Sequence, residues 1–185
     1  MTAYRIPLFD LDYGPDEEAA AIDVIRARWI SMGERTAQLE REWTERLGVR
    51  HAIAVANGTA ALHLAAACVL RPGDEVIVPS LTFVATVNAM RYVGARPVFA
   101  DVESIEQPTI SAASIASCIT PHTRAIVPMH YAGFACDMDG IMQLAARHDL
   151  AVIEDAAHAP DARHRERPLG TIGDFGCFSF YSNKN

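Results

Sequence analysis

The sequence predicts a doubly wound α/β domain with a mostly parallel sheet. The first observation is that short apolar runs alternate with Ala-rich helical stretches after Gly48, which is typical of βαβ units. The second is that these runs are continuous, as expected of strands covered by helices on both faces. The third is that the turns between them, such as "RPGDE" at 71–75 and "VGARP" at 93–97, place glycine at helix ends and proline or aspartate beyond.

The strands and helices of this domain can be assigned in chain order. The predicted strands are the apolar runs at 51–56 ("HAIAVA"), 75–80, 96–102, 124–129, 150–155 and 175–181. The predicted helices between them lie at 59–70, 83–93, 112–119 and 138–148. The last strand, 175–181, alternates small and aromatic residues, and the sequence ends four residues after it.

Two amphipathic helices are predicted before the sheet, at 16–30 and 36–47. Each carries an apolar stripe, formed by Ile22, Ile25 and Trp29 in the first helix and by Leu39, Trp43 and Leu47 in the second. A stripe of this kind needs a surface to cover it. We therefore expect residues 1–48 to form an N-terminal helical segment that packs on a large domain of residues 49–185.

Composition excludes several classes of protein. The net charge of −7 argues against a nucleic-acid-binding protein, whose surface is basic, and no apolar run approaches the length of a membrane span. The N-terminus lacks the layout of a secretory signal. The four cysteines show no CxxC spacing, so neither a zinc knuckle nor a redox dithiol is predicted. Reduced, mostly buried thiols in a cytoplasmic protein are the expectation.

Ligands of open parallel sheets bind beyond the carboxyl ends of the strands, near the switch in strand order. Four stretches lie at such ends: 57–61, 79–83, 129–133 and 154–159. In the first, Gly58 and Thr59 join a strand to a helix, which favours either an anion such as phosphate at the helix N-terminus or an ordinary capped turn. The stretch contains neither the G-K-[ST] of a Walker loop nor GxGxxG.

Two ionisable residues at this edge have both a structural and a chemical interpretation. Asp155 follows an apolar strand, where a carboxylate either caps the next segment or faces a cation. Lys184 follows the last strand, where it is either a solvated lysine or an amine beside an apolar wall, free to attack a carbonyl. Each alternative stays open when the residue is taken alone.

Further residues at the same edge are open to two interpretations as well. Phe83 could stack on a planar ligand or belong to the core. His130 and His158 have no third partner at metal spacing, so no metal site is predicted. The arginines at 163, 165 and 167, which first suggest a phosphate clamp, lie in a turn-like stretch that favours a solvated loop.

Together, these residues favour one cofactor. A phosphate-binding turn, a stacking aromatic residue, a carboxylate and an amine nucleophile match the phosphate, flat ring, ring nitrogen and aldehyde of pyridoxal 5′-phosphate. Asp155 would then find its cation in the protonated ring nitrogen and raise the pKa of that nitrogen.

Five segments of the chain also resemble a known family. They are "ANGTAALHLA", "GDEVIVPSLTFVATVNA", "GARPVFADV", "VIEDAAHA" and "GDFGCFSFYSNKN". In order and spacing they are similar to the sugar aminotransferases of the DegT/DnrJ/EryC1/StrS group, within the fold-type I pyridoxal-phosphate enzymes. The resemblance extends from about residue 6 to residue 185.

The resemblance implies a role for each residue at the edge. Lys184 would bind the cofactor covalently, Asp155 would face the ring nitrogen, Phe83 would stack on the ring, and Gly58, Thr59 and Ser179 would hold the phosphate. His158 would lie near the hydroxyl of the ring, a position at which the family often has glutamine. One branch of the family replaces the lysine by histidine and catalyses dehydration, so the presence of Lys184 favours transamination.

The expected reaction is therefore transfer of an amino group from an amino acid, with glutamate as the expected donor, to a nucleotide-linked keto sugar. The resemblance implies a cytoplasmic homodimer with shared active sites. It also implies a further strand and a smaller C-terminal domain after Lys184, so the chain is expected to be the catalytic front part of a longer enzyme. The alternatives are another pyridoxal-phosphate reaction, such as elimination or aldol cleavage, and a non-catalytic regulatory protein with the same fold.

Overall fold

The computed structural model describes residues 11–29 and 31–184. Their contacts divide the chain into two compact units, Met1–Ala54 and Val55–Asn185. The predicted packing of the N-terminal segment on the large domain stays a prediction.

The first unit contains two helices. Helix α1 spans Pro15–Arg26, and its start is stabilised by a 2.7 Å hydrogen bond from the Gly14 N–H to the Glu17 carboxylate. It ends earlier than the predicted 16–30, because the chain turns at Arg28, whose φ is 56°. Residue 30 lies outside the described residues. Helix α2 spans Glu34–Leu47 and ends at Gly48, whose φ of 67° is the left-handed conformation that favours glycine.

The second unit is built on a parallel sheet. Its strands and those of a small hairpin are β1 Glu75–Pro79, β2 Arg96–Ala100, β3 Thr123–Ile126, β4 Ala151–Asp155, β5 Arg163–His164, β6 Arg167–Pro168 and β7 Phe175–Cys177. Five of them form one sheet in the order β2-β1-β3-β4-β7, with every neighbouring pair parallel. The chain runs to one side from β1 to β2 and to the other from β3 onward, so the switch in strand order lies between β1 and β3.

Helices cover both faces of this sheet. They are α3 Gly58–Val69, α4 Val84–Tyr92, α5 Ala112–Cys118 and α6 Met138–His148. Alternate residues of β1 separate the two layers, because Val76 and Val78 pack in the apolar cluster that contains residues of α3 and α4, whereas Ile77 packs in the cluster with α5 and α6. The predicted doubly wound α/β fold is confirmed. None of the described helices is long and apolar enough to cross a membrane.

Two predicted strands differ from the structure. The sequence predicts a strand at 51–56, but these residues have no ladder partner in the described part of the chain, and they are irregular. The strand predicted at 175–181 is shorter, since only Phe175–Cys177 is paired. The reason is the end of its partner. Cys177 lies opposite Asp155, the last residue of β4, and beyond that point β7 has no strand beside it.

Candidate active site

The sequence-predicted site residues all lie in the second unit, at the carboxyl edge of the sheet. Asp155 is the last residue of β4, and His158 follows three residues later. Phe83 directly precedes α4, in the connection that leaves β1. Ser179 and Lys184 follow β7, and Gly58 and Thr59 begin α3. Their shared location follows from the parallel strands, whose carboxyl ends meet at one edge.

The Asp155 carboxylate is buried, with 2% of the residue exposed. Its Oδ2 accepts a 2.6 Å hydrogen bond from the Thr86 hydroxyl, and its Oδ1 accepts a 3.2 Å bond from the Ala157 N–H. Among residues 11–29 and 31–184 it has no ion-pair partner. A buried carboxylate without a cation carries a large desolvation cost, which favours the interpretation that Asp155 faces a cation over that of a simple cap.

Thr86 is a residue of this site that sequence reasoning missed. It lies in the first turn of α4 and is completely buried. The hydroxyl of Thr82 lies 2.8 Å from that of Thr86 and 3.1 Å from the sulfur of Met129. A threonine among the alanines and valines of "FVATVNAM" was the available signal, since a hydroxyl on the buried face of a helix needs a polar partner.

Lys184 lies beside two of the predicted residues. Its Nζ is 2.8 Å from Nε2 of His158 and 5.7 Å from the centroid of the Phe83 ring. The main chain turns just before it, with the Lys184 N–H donating to the carbonyl of Tyr181 at 2.7 Å. The amine, the imidazole and the aromatic ring therefore form one group at the edge of the sheet.

The hydrogen bonds of His158 indicate where its ring proton lies. The Ala132 N–H donates to Nδ1 at 3.3 Å, and a neutral imidazole that accepts at one nitrogen donates at the other. We therefore assign the proton to Nε2, which faces the Lys184 amine. Burial lowers the pKa of His158, and the charge of Lys184, when it is protonated, lowers that pKa further, against an opposing effect of Asp155.

The N-terminus of α3 forms a small cradle with the segment after β7. A Cβ atom added to Gly58 would lie 3.1 Å from the Phe178 carbonyl oxygen and 3.1 Å from Cβ of Ser179, so a larger residue would have to push this segment back by a few tenths of an ångström. The Asn57 side chain caps the helix by accepting from the Ala60 N–H. The N–H groups of Gly58 and Thr59 have no acceptor among the described residues. Together with the Ser179 hydroxyl they are suited to an anion.

A second buried carboxylate, Glu154, lies directly before Asp155 and acts on structure. Its Oε1 accepts from the N–H groups of Ile172 and Gly173 at 2.6 and 2.7 Å. Its Oε2 accepts from the Gly170 N–H at 2.8 Å and from His130 Nε2 at 3.0 Å. Glu154 thereby holds the loop that leads into β7 and on to Lys184.

His130 makes its contacts within the protein, to a main-chain group and to Glu154. The side chain is fully buried, with Nδ1 accepting from the Cys136 N–H at 3.2 Å while Nε2 donates to Glu154. Burial alone would raise the pKa of Glu154, but the hydrogen bonds from His130, Gly173 and Gly170 outweigh it and hold that pKa below its usual value.

We expect Glu154→Gln to lower the free energy of unfolding by about 3 kcal/mol, the cost of breaking a buried, hydrogen-bonded charge. Each oxygen of Glu154 accepts two N–H groups, so the amide NH2 of glutamine would face two donors in either orientation. Because the folded-state pKa is depressed, this stabilisation is complete above the unfolded pKa and is lost as the pH falls through the folded one. Urea unfolding at pH 7 and pH 4 measures both effects. Exposed Glu106→Gln is the control, and equal stability of both variants at pH 7 would contradict the prediction.

The arginine-rich stretch forms an exposed hairpin of β5 and β6, as expected for a solvated loop. Arg163 donates to the carbonyl of Glu166 at 2.7 Å, and Arg165 pairs with Asp139. Asp139 also lies near Asp137 and His164, with ligand atoms within 4.8 Å of one another. Asp137 caps α6 by accepting from the Gly140 N–H, and Nε2 of His164 lies 3.4 Å from Asp139 Oδ2 without a hydrogen-bond partner among the described residues.

A family model and several known proteins match this chain. The model of the DegT/DnrJ/EryC1/StrS aminotransferase family matches residues 12–185. The spore coat polysaccharide biosynthesis protein SpsC of Bacillus subtilis (strain 168) is 42% identical over 183 residues, which are 98% of this chain and 46% of that protein. The GDP-perosamine synthase of Caulobacter vibrioides is 44% identical over 171 residues, 91% of this chain and 46% of that protein.

The fold also matches solved structures. The structure of Spr1654 from Streptococcus pneumoniae in its PLP form superposes with a TM-score of 0.92 at 30% sequence identity. The match covers 98% of this chain and 50% of that one. The chain therefore spans about half the length of the relatives that it matches.

Proposed function

Since the chain belongs to the DegT/DnrJ/EryC1/StrS aminotransferase family, we propose that the protein is a pyridoxal-phosphate-dependent aminotransferase that acts on a keto sugar. The observation that carries the proposal is the group formed by Lys184, His158 and Phe83 beside a buried Asp155 that lacks a cation among the described residues. The name of one relative, GDP-perosamine synthase, supports a nucleotide-linked sugar as the substrate.

The residues present fit the proposed cofactor on two counts. The cradle of Gly58, Thr59 and Ser179 offers a phosphate two N–H groups without an acceptor among the described residues, and one hydroxyl donor. Asp155 offers a buried carboxylate to the ring nitrogen. When bound, pyridoxal phosphate supplies an electron sink for the bond that is cleaved at the α-carbon of the amino donor.

Four side chains of this protein have roles in the proposed reaction. Lys184 would hold the cofactor through its amine and, once that amine is free, would move a proton between the α-carbon of the donor and C4′ of the cofactor. His158 orients the Lys184 amine through its Nε2. Asp155 keeps the ring nitrogen protonated, and Phe83, 59% exposed, offers its ring as a stacking surface.

The proposal also covers the oligomeric state, the location, the amino donor and the domain organisation of the protein. We infer a homodimer with shared active sites in the cytoplasm, an amino acid such as glutamate as the donor, and a role in amino sugar biosynthesis. Family membership supports these inferences. The proposed domain organisation is an N-terminal helical segment of residues 1–48 and a cofactor-binding large domain of residues 49–185.

The half-reaction with the donor tests the proposal without knowledge of the sugar. Full-length protein loaded with pyridoxal phosphate should convert glutamate to 2-oxoglutarate in an amount equal to the cofactor, and should turn over only when a nucleotide-linked keto sugar is added. Amino sugar formation is then measured by mass spectrometry. Release of ammonia or cleavage of a carbon–carbon bond would favour elimination or aldol chemistry. Loaded protein that changes no substrate would favour a regulatory role.

A further inference from the structure

A chain of two threonine hydroxyls ends on the buried carboxylate of Asp155. The Thr86 Oγ1 lies 2.6 Å from Asp155 Oδ2, and the Thr82 Oγ1 lies 2.8 Å from that of Thr86. An ionised carboxylate only accepts hydrogen bonds, so the single proton of Thr86 is directed at Asp155. The oxygen of Thr86 is then available to accept the proton of Thr82.

This contact is held rigidly by the fold. Thr86 is wholly buried in the first turn of α4, and Asp155 ends β4, at the edge of the sheet where the strands carry the site. A β-branched side chain in a helix has few rotamers, so its hydroxyl direction is determined by packing. The bond joins residues 69 positions apart in sequence and ties α4 to the central part of the sheet.

We infer that Thr86 is a positioning residue that holds Asp155 ionised and aimed at the ring nitrogen of the cofactor, an inference that rests on the proposed function. A hydrogen bond donated to a carboxylate favours its charged form. In a buried site this contribution is large, because no water replaces a lost donor. A proton shared between Asp155 and the ring nitrogen therefore resides on the nitrogen, which is the state that makes the ring an electron sink.

The other ionisable groups that sense the charge of Asp155 leave this assignment intact. They are His158, Cys136 and Cys177. Burial raises the pKa of both cysteine thiols to about 12, so they stay uncharged over the range in which proteins are measured. The Nε2 of His158 is directed at Lys184, and its Nδ1 accepts from Ala132. Thr86 is thus the side-chain donor that the described residues provide to Asp155.

The test measures the ring nitrogen directly rather than activity. Full-length protein is loaded with pyridoxal phosphate labelled with 15N in the ring, and the 15N chemical shift is followed against pH. In Thr86→Val, which keeps the shape and removes the donor, the ionised form of Asp155 is less favoured, so the distribution of the shared proton should change by about tenfold toward Asp155. The 15N shift at neutral pH should therefore move from the protonated toward the unprotonated value, and Thr86→Ser should restore the wild-type shift.

A matched control is available at Thr109, a second fully buried threonine. Its hydroxyl has no hydrogen-bond partner among the described residues, so Thr109→Val makes the same chemical change away from the site. This variant should leave the titration unchanged. Borohydride labelling of Lys184 should be equal in all variants, because Thr86 does not contact the amine.

Each outcome distinguishes the inference from the function on which it rests. A wild-type 15N shift at neutral pH in Thr86→Val would overturn the inference, and so would equal changes of the 15N shift in Thr86→Val and Thr109→Val. If wild-type protein gave no labelled Lys184 and no bound ring signal, the proposed function itself would fall, and the inference with it. If Thr86→Val did not fold, Thr86→Cys, a weaker donor of similar size, would be measured in its place with the same expected direction of shift.

Discussion

Lys184→Ala should abolish covalent attachment of pyridoxal phosphate and reduce turnover to the background rate. The variant removes the amine that lies 2.8 Å from His158 and next to the Phe83 ring, and no other lysine precedes it in this chain. Without a nucleophile the aldehyde has no group to react with, and without a base the proton at the donor α-carbon has no acceptor. Both losses act on the same reaction, so the effect should be complete rather than partial.

Borohydride reduction followed by peptide mapping measures this loss directly. In the wild-type full-length protein the label should lie on Lys184. Lys184→Arg is the control, since it keeps the positive charge and supplies no nucleophile for the aldehyde, and it should remain unlabelled like the alanine variant. A label on another residue of the wild-type protein, or a labelled Lys184→Ala variant, would contradict the assignment.

Asp155→Asn should separate cofactor capture from turnover. The variant keeps an oxygen that accepts from Thr86, so the hydroxyl of that residue is still satisfied, and the amine of Lys184 is unchanged. Covalent capture of the cofactor should persist. Loss of the negative charge lowers the pKa of the ring nitrogen by roughly 1–3 units, so the protonated ring becomes about 10- to 1,000-fold less populated. Turnover should fall by a similar factor.

The borohydride label measures covalent capture of the cofactor in Asp155→Asn, and single-turnover kinetics with glutamate measure the loss of turnover. Asp174 provides a matched control. Its carboxylate accepts from the N–H of Val152 at 2.8 Å, at the start of β4, whereas Asp155 lies at the end of that strand. Asp174→Asn makes the same chemical change far from the carboxyl edge and should keep wild-type turnover. Wild-type turnover in Asp155→Asn would mean that Asp155 is a structural cap.

Local sequence patterns determined the architecture and the position of the candidate residues. The continuous apolar runs between Ala-rich stretches are sufficient to predict a parallel sheet covered on both sides, since burial on two faces leaves no polar alternation. Once the sheet is parallel, its carboxyl ends share one edge, so Asp155, Phe83 and Lys184 are expected to come together. The structure brings Lys184 close to His158 and Phe83, at the edge where Asp155 also lies.

Only the tertiary structure decided which side chains complete the site and where two strands end. The bond of Thr86 to Asp155 and the four hydrogen bonds of Glu154 join segments that are distant in sequence. The local sequence does not predict such bonds, because the residues around a helical threonine or a strand glutamate do not indicate whether its side chain has a hydrogen-bond partner elsewhere in the chain. Likewise β7 stops at Cys177 because β4 stops at Asp155, and 51–56 is irregular because a strand needs a neighbour as well as a suitable sequence.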